Sequence, residues 1–172
     1  IVGLSDGRSV SSKTVVVATG ARYRKLDVPN YARFEGRGIQ YAATAMEGQI
    51  CSGQEVVIVG GGNSAGQAAV FLSRTARHVH MLVRSGISAT MSDYLVQRIK
   101  ISPHITLCEG CEITELDGGQ ALESVSWVDR STGETGRCNA SNLFVMIGPE
   151  PNTDWLDGCL ELDRSGFVCT GL

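Results

Sequence analysis

The clearest hydrophobic pattern in the chain lies between residues 55 and 83. A run that is apolar after its first residue, Glu55–Val59, stops at three glycines, Gly60–Gly62. A second run of strand type, His78–Val83, comes about twenty residues later. Between them, small and apolar residues recur at the spacing of one helix face: Ala65, Ala68, Ala69, Leu72 and Ala76. The pattern predicts a βαβ unit made of a strand, a glycine turn, a helix and a parallel strand.

Other elements are predicted on both sides of this unit. The β-branched run Thr14–Thr19 is typical of a buried strand, and residues 20–40, which show no period, indicate a connecting segment. After the unit, Ser92 is placed to begin a second helix that Pro103 ends. The apolar side of this helix consists of Leu95, Val96 and Ile99.

Short alternating strands separated by turn residues occupy the next part of the chain. They cover residues 113–116, residues 122–128 and a stretch near Cys138. An apolar run at residues 143–147 then predicts a return strand ended by Gly148. We therefore expect a Rossmann-like α/β fold in three layers, with a parallel sheet, helices and a β-meander.

Length, charge and cysteine content narrow the class of protein. The 172 residues suit one domain, and the formal net charge of -3 gives no reason to expect nucleic acid or an anionic membrane as partner. No apolar run approaches the roughly 18 residues of a membrane span. The start lacks Met and a signal layout, which suggests a piece of a longer protein. Without such a signal, the six cysteines are expected to be free thiols in the cytoplasm.

The glycine turn carries the strongest chemical signal. Residues Gly60, Gly61, Gly62, Asn63, Ser64 and Ala65 form Gly-x-Gly-x-x-Ala directly after a strand and before a helix. In a dinucleotide site the first glycine makes the turn, the second admits the pyrophosphate, and the third position is small for close packing. The amides at the helix N-terminus add an anion site. The alternative is a glycine turn that binds no ligand.

The end of the second strand indicates which dinucleotide is bound. An NAD site has an acidic residue there for the ribose 2′-hydroxyl, but no carboxylate occurs from Ala76 through Ser92. Arg84 stands at that position instead, followed by Ser85. A guanidinium group suits a 2′-phosphate, so we expect NADPH. The alternative is a solvated arginine at a strand end.

Cysteine and histidine pairs are weaker candidates. Cys108 and Cys111 form a Cys-x-x-Cys with His104 nearby, but a tetrahedral metal site needs a fourth ligand and no second pair has ligand spacing. Thiols flanking a turn are the simpler interpretation. His78 and His80 share one strand face and are expected to flank the sheet. We assign no metal ligand and no catalytic residue.

Five short motifs occur in order along almost the whole chain: Ala18–Ala21, Gly36–Tyr41, Gly60–Ala65, Val79–Arg84 and Ile147–Thr153. In this order they resemble the low-molecular-weight thioredoxin reductases, two-domain flavoproteins that bind FAD and NADPH. The set of five is more specific than any one motif.

The resemblance implies a domain organisation and an activity. Residues 1–40 would be the end of an FAD domain and the crossover, residues 41–150 the NADPH-binding domain, and residues 151–172 the start of the return into the FAD domain. Ile147 and Gly148 would line the nicotinamide end of the site. The full-length protein would pass hydride from NADPH to FAD, would hold FAD mostly outside this chain, and would form a homodimer.

The chain departs from the family where the redox disulfide is expected. Ala42 and Ala45 stand at the two cysteine positions, Met46 replaces the acid, and Glu47 is one residue late for its role. Without a dithiol, electrons cannot leave through a disulfide at this place.

The electron acceptor therefore stays open among three hypotheses. The protein is a flavin reductase that serves another acceptor such as ferredoxin, a thioredoxin reductase that uses Cys51 or the Cys108/Cys111 pair, or a non-catalytic module that senses NADP(H). Whichever holds, we expect the chain alone to be inactive, because most of the FAD site would be missing.

Overall fold

The computed structural model describes residues 1–171 and divides the chain into two compact units. One unit combines residues 1–22 with the chain from Pro149 onward, and the other runs from Tyr23 to Gly148. Residues 23–40, expected to belong with the FAD-domain end, group with the larger unit. Leu172, the last residue of the expected return segment, lies outside the described residues. That residues 1–40 and 151–172 belong to an FAD domain stays a prediction.

Strands are the more numerous elements of the described chain. They are β1 (Val2–Gly3), β2 (Ser9–Val10), β3 (Ala21–Tyr23), β4 (Ile39–Gln40), β5 (Glu55–Val59), β6 (His78–Val83), β7 (Ile105–Glu109), β8 (Cys111–Asp117), β9 (Ser124–Asp129), β10 (Thr135–Cys138), β11 (Asn142–Val145) and β12 (Pro149–Pro151). The α-helices are α1 (Tyr31–Phe34), α2 (Ala45–Ile50), α3 (Asn63–Leu72) and α4 (Asp93–Ile101). None of the helices in residues 1–171 has both the length and the apolar character needed to cross a bilayer.

A five-stranded parallel sheet forms the centre of the larger unit. Its strand order is β4-β11-β5-β6-β7, and every neighbouring pair is parallel. The β-meander forms a separate antiparallel sheet in the order β10-β9-β8. Parallel strands connected in this way need crossovers. α3 supplies the crossover from β5 to β6, and α4 supplies the one from β6 to β7.

Two apolar clusters show that the larger unit has three layers. One cluster joins α3 and α4 to one sheet face, with Val56, Ile58 and Phe144 from the strands. The other joins the opposite sheet face to the meander, with Val57 from the sheet and Val125 from β9. Neighbouring strand residues thus enter opposite cores, as the alternation of side chains along a strand requires. The predicted α/β fold with a β-meander is confirmed.

The predicted βαβ unit is present. β5 and β6 cover the predicted residues, and α3 begins directly after the three glycines. The helix ends at Leu72, so Ala76 lies beyond it, although its side chain is still buried. The alanine face allows α3 to lie close to the sheet, because short side chains keep the two backbones near each other.

The prediction of a buried strand at Thr14–Thr19 is wrong. The segment has no strand pairing, and Val15, Val16 and Val17 are exposed. A β-branched run becomes a strand only where a partner strand supplies hydrogen bonds and burial. Among the described residues, no strand pairs with residues 14–19.

The smaller unit contains little buried surface. Its strands form two-stranded sheets, β1 with β2 and β12 with β3. Among its described residues only Thr153 and Leu156 are buried. It therefore lacks a core comparable with that of the larger unit.

Candidate functional site

The ends of four parallel strands bring the predicted site residues to one edge of the sheet. Val59 pairs with Leu82 on β6 and with Val145 on β11, and Phe144 on β11 pairs with Gln40 on β4. The residues that come after these strands therefore emerge side by side. Ligands of open α/β sheets bind at this carboxyl edge, because the loops and helix N-termini gather there.

Gly60 makes the turn that leaves β5. Its φ of 140° lies in the left-handed region, and a Cβ at this position would overlap the carbonyl oxygen of Met146, the residue after the neighbouring strand β11. The same Cβ would lie 3.2 Å from the Cβ of Ala65, which is fully buried. Glycine at position 60 and a small residue at position 65 thus allow helix, turn and strand to approach closely.

Gly62 has a different role, since it stands at the N-terminus of α3. Its φ of -90° is open to any residue, and a Cβ there would meet no atom within 4 Å. No side chain of the described residues caps the helix, and its first intrahelical bond runs from the Gly66 amide to the Gly62 oxygen at 3.1 Å. The amides of Asn63, Ser64 and Ala65 come before that bond. The open space and the early amides form a cradle for an anion.

Two side-chain contacts fasten the segment after β6 to the glycine turn. The Thr90 hydroxyl donates to the Gly61 carbonyl oxygen at 2.8 Å, and the Ser92 amide donates to Asn63 Oδ1 at 2.8 Å. The Asn63 side chain is therefore used within the protein, so its backbone amide is the group that it offers to a ligand. No sequence signal points to the Thr90 contact, because the two residues lie far apart in the chain.

Arg84 and Ser85 come directly after β6 and are exposed. In residues 1–171 the Arg84 side chain has no hydrogen bond and no ion pair. The loop that they begin is anchored to β7, since Glu109 Oε1 accepts a hydrogen bond from the Ile87 amide at 3.0 Å. A fixed loop with a free guanidinium group suits an external anion.

Ile147 and Gly148 lie beside the glycine turn on the other flank. The Met146 amide donates to the Val59 carbonyl oxygen at 2.8 Å, which continues the pairing past the end of β11. Gly148 has a φ of 93°, and its carbonyl oxygen accepts a hydrogen bond from the Arg24 amide at 3.2 Å. The structure thus brings the glycine turn, the Arg84–Ser85 pair and the Ile147–Gly148 pair to one edge of the sheet.

The loop after β4 reaches the same edge but carries no thiol. Ala42 lies in the loop and Ala45 is the first residue of α2. Glu47 accepts hydrogen bonds from the Thr44 amide and the Thr44 hydroxyl. The Thr44 hydroxyl oxygen in turn accepts a bond from the first backbone amides of α2, so the two residues form a capping box. The bonds that Glu47 accepts, the Thr44 hydroxyl first, lower the pKa of Glu47. Glu47 is thus committed to the helix end.

The thiols considered as substitutes are buried or half-buried. Burial raises the pKa of Cys51 to about 11, with a smaller contribution from the charge of Glu47. Cys108 lies near the end of β7 and Cys111 begins β8; burial raises the pKa of both, in Cys111 to about 11. Because the thiolate is the reactive form, none of the three is set up as a nucleophile at neutral pH.

Comparison with known proteins identifies the family of the chain. Residues 2–170 match the family described as pyridine nucleotide-disulphide oxidoreductase. A Bacillus subtilis (strain 168) protein named NADH dehydrogenase is 34% identical over 165 residues, covering 96% of this chain and 32% of that protein. A Streptomyces clavuligerus thioredoxin reductase is 35% identical over 164 residues, covering 95% of this chain and 50% of that protein.

A solved structure gives the same fold. The thioredoxin reductase from Giardia duodenalis superposes with a TM-score of 0.81 at 28% identity, over 94% of this chain and 52% of that one. The chain thus spans between about a third and a half of the length of the relatives that it matches.

Proposed function

Since the chain belongs to the pyridine nucleotide-disulphide oxidoreductase family, which uses FAD and a nicotinamide nucleotide, we propose that its sheet edge binds NADPH. NADPH supplies a hydride when bound, and FAD accepts it in the whole protein. The chain's own residues bind and orient the nucleotide. The observation that carries the proposal is the open anion cradle at Gly62, after β5, together with the free guanidinium group of Arg84 at the end of the neighbouring strand β6.

The pyrophosphate would lie at the N-terminus of α3. Gly62 leaves room for it, and the amides of Asn63, Ser64 and Ala65 would donate to its oxygens. The positive end of the helix dipole adds to the attraction. Gly60 and Gly61 shape the turn and do not need to touch the ligand.

Arg84 and Ser85 would contact the 2′-phosphate of NADPH. Both are exposed at the end of β6, where the ribose of a dinucleotide is bound in this fold. NADH is the second candidate, because one relative is named NADH dehydrogenase. The absence of a carboxylate between residues 76 and 92 favours NADPH, since NADH binding uses an acid for the 2′-hydroxyl.

Ile147 and Gly148 would line the nicotinamide end of the same nucleotide. They lie across the glycine turn from Arg84, in the segment that follows β11, the strand that neighbours β5 on its other side. FAD would be held mostly by protein outside these 172 residues. The chain itself supplies no acid, base or nucleophile to the hydride transfer.

The acceptor beyond FAD is proposed to be other than a disulfide of this chain. Ala42 and Ala45 offer no thiol at the carboxyl edge, and Cys51 is fully buried. A carrier such as ferredoxin is the acceptor that we favour, and a role as an NADP(H) sensor is the alternative. In the full-length protein, turnover with an artificial acceptor and NADPH distinguishes an enzyme from a sensor.

Nucleotide choice is the sharpest test of the proposal. In isothermal titrations, Arg84→Ala is expected to weaken NADPH binding by about 1.5–3 kcal/mol, the usual value of a charged hydrogen bond, and to leave NADH unchanged. Arg98→Ala, an exposed arginine in the last turn of α4, is the matched control and should keep the wild-type affinity. Equal weakening for both nucleotides would show that Arg84 does not contact the phosphate.

The isolated chain should be unable to turn NADPH over. Mixed with NADPH, FAD and an artificial electron acceptor, it is expected to bind the nucleotide without flavin-dependent oxidation. Steady loss of the NADPH absorbance that depends on added FAD would contradict this expectation and would place a working flavin site within the 172 residues.

A further inference from the structure

Three potential metal ligands meet on the meander side of the parallel sheet, away from the glycine turn. They are Glu55 at the start of β5, His80 in β6 and Cys138 at the end of β10. One ligand atom from each lies within 4.8 Å of the other two. No local spacing in the sequence joins them, because each comes from a different strand.

The carboxylate is already oriented towards the other two ligands. Arg77 Nη2 donates to Glu55 Oε1 at 2.8 Å, which leaves Oε2 to face His80 Nε2 at 3.3 Å. The Glu55 side chain is 26% exposed and that of His80 is 18% exposed. Glu55 Oε2 and His80 Nε2, the two atoms that would bind a metal ion, thus already face each other.

The imidazole ring is held in place by its neighbours. His78 lies edge-on at 4.9 Å between ring centroids, and the Trp127 ring lies at 5.8 Å. His78 itself is engaged elsewhere, since its Nε2 is 2.7 Å from Thr106 Oγ1. These ring contacts restrict the orientations that are open to the His80 side chain.

The donor set identifies the class of metal. A nitrogen, a carboxylate oxygen and a sulfur together suit Zn²⁺, whereas Mg²⁺ and Ca²⁺ prefer oxygen alone. Movements of about 1 Å would bring the three atoms to the bond lengths of roughly 2.0–2.3 Å that Zn²⁺ requires. Cys138 is buried, and a divalent cation would neutralise its thiolate together with the Glu55 carboxylate.

We propose that Glu55, His80 and Cys138 form a zinc site that ties strand β10 of the meander to strands β5 and β6 of the parallel sheet. Three protein ligands leave a fourth position for water. The site is separate from the proposed nucleotide site, because Glu55 lies at the amino end of β5 and the glycine turn lies at its carboxyl end. Because its ligands come from both sheets, bound zinc stabilises the folded chain by linkage.

The 172-residue chain is first stripped of metal with a chelator. Separate samples are then titrated with Zn²⁺ and with Co²⁺. We expect one Zn²⁺ per chain, a rise in melting temperature, and a thiolate-to-cobalt charge-transfer band with Co²⁺. Cys138→Ala should lose the band and weaken zinc binding at least tenfold. Glu55→Gln and His80→Gln, at partly exposed positions, test the same site should Cys138→Ala fold poorly.

Two controls separate this site from other thiols and from other histidines. Cys111→Ala removes a buried thiol of the same meander, and His104→Gln removes an exposed imidazole just before β7; both should bind zinc as the wild type does. Failure of the wild type to bind Zn²⁺ overturns the proposal. Loss of the cobalt band in Cys111→Ala with retention in Cys138→Ala overturns it as well, because the metal would then sit at the Cys108/Cys111 pair. NADPH affinity should be unchanged throughout, so the outcome is independent of the proposed function.

Discussion

Gly60 and Gly62 stand two residues apart in one turn, yet substitution at each should affect a different property. Gly60→Ala is expected to lower the free energy of unfolding by about 3 kcal/mol, because its φ of 140° disfavours a Cβ that would also overlap the Met146 oxygen. Gly62→Ala should leave stability within about 0.5 kcal/mol, since its φ is ordinary and its surroundings are open.

The same pair of variants tests the cradle. Gly62→Ala should still weaken NADPH binding, because the added methyl group would occupy the space proposed for the pyrophosphate. Urea unfolding and isothermal titration measure the two properties. A Gly62→Ala variant with wild-type affinity would place the ligand elsewhere, and a fully stable Gly60→Ala variant would mean that the turn relaxes.

Thiol reactivity is the second prediction at the scale of single residues. Cys159 and Cys169 are exposed, whereas Cys51 and Cys111 are buried with pKa values raised to about 11. At pH 8 the buried thiols are therefore protonated, and the protonated form does not attack. Timed iodoacetamide labelling read by mass spectrometry should modify the exposed pair first. In urea the labelling rates of the exposed and the buried thiols should converge. Early labelling of Cys51 in the folded protein would contradict its burial.

At the scale of elements, the contact between α3 and α4 depends on Gly66. A Cβ there would lie 2.6 Å from Met91 Sδ and 3.2 Å from Leu95 Cδ1. Gly66→Ala is expected to cost about 1–2 kcal/mol of stability, since the overpacking outweighs the gain in helix propensity. Gln67→Ala, on the exposed face of the same helix, should be neutral or slightly stabilising. Chemical denaturation measures both, and equal stability of the two variants would mean that Met91 moves aside.

Elements that carry their own pattern were predictable from the sequence, and those that need a distant partner were not. The strand Glu55–Val59 was predicted with its bounds and the helix after it with its start, because apolar periodicity, glycines and length all indicate the same elements there. The Thr14–Thr19 run has the same composition as a buried strand but no pairing partner among the described residues. Residue type indicates strand potential, and only pairing makes the strand.

The candidate site divides in the same way. The Gly-x-Gly-x-x-Ala turn and the end of β6 were predictable, since the fold places the loop after each parallel strand at the carboxyl edge of the sheet. The Thr90 contact with Gly61 and the meeting of Glu55, His80 and Cys138 were missed. Each of these contacts joins residues that lie far apart in the chain. Whether such residues meet depends on how the meander and the loops fold over the sheet.

At the scale of the whole molecule, the two units should differ sharply in local stability. In the smaller unit residues 1–22 are all exposed or partly exposed, and within residues 1–171 β1 and β2 pair only with each other. The larger unit buries every residue of β5 after Glu55. Because local opening is opposed mainly by buried apolar contacts, amides of β1 and β2 should exchange with solvent roughly a hundredfold faster or more than those of β5.

Hydrogen exchange followed by mass spectrometry measures this difference within one sample, so the larger unit is an internal control. Peptides covering residues 1–12 should reach full deuteration at the first time points, while a peptide containing Val56–Val59 stays protected. Val57→Ala creates a cavity in the core on the meander side of the sheet. It should raise amide exchange in the larger unit and leave the exchange of residues 1–12 unchanged. Equal protection of the two peptides in the wild type would contradict the prediction, because it would mean that the two units open together in a single cooperative step.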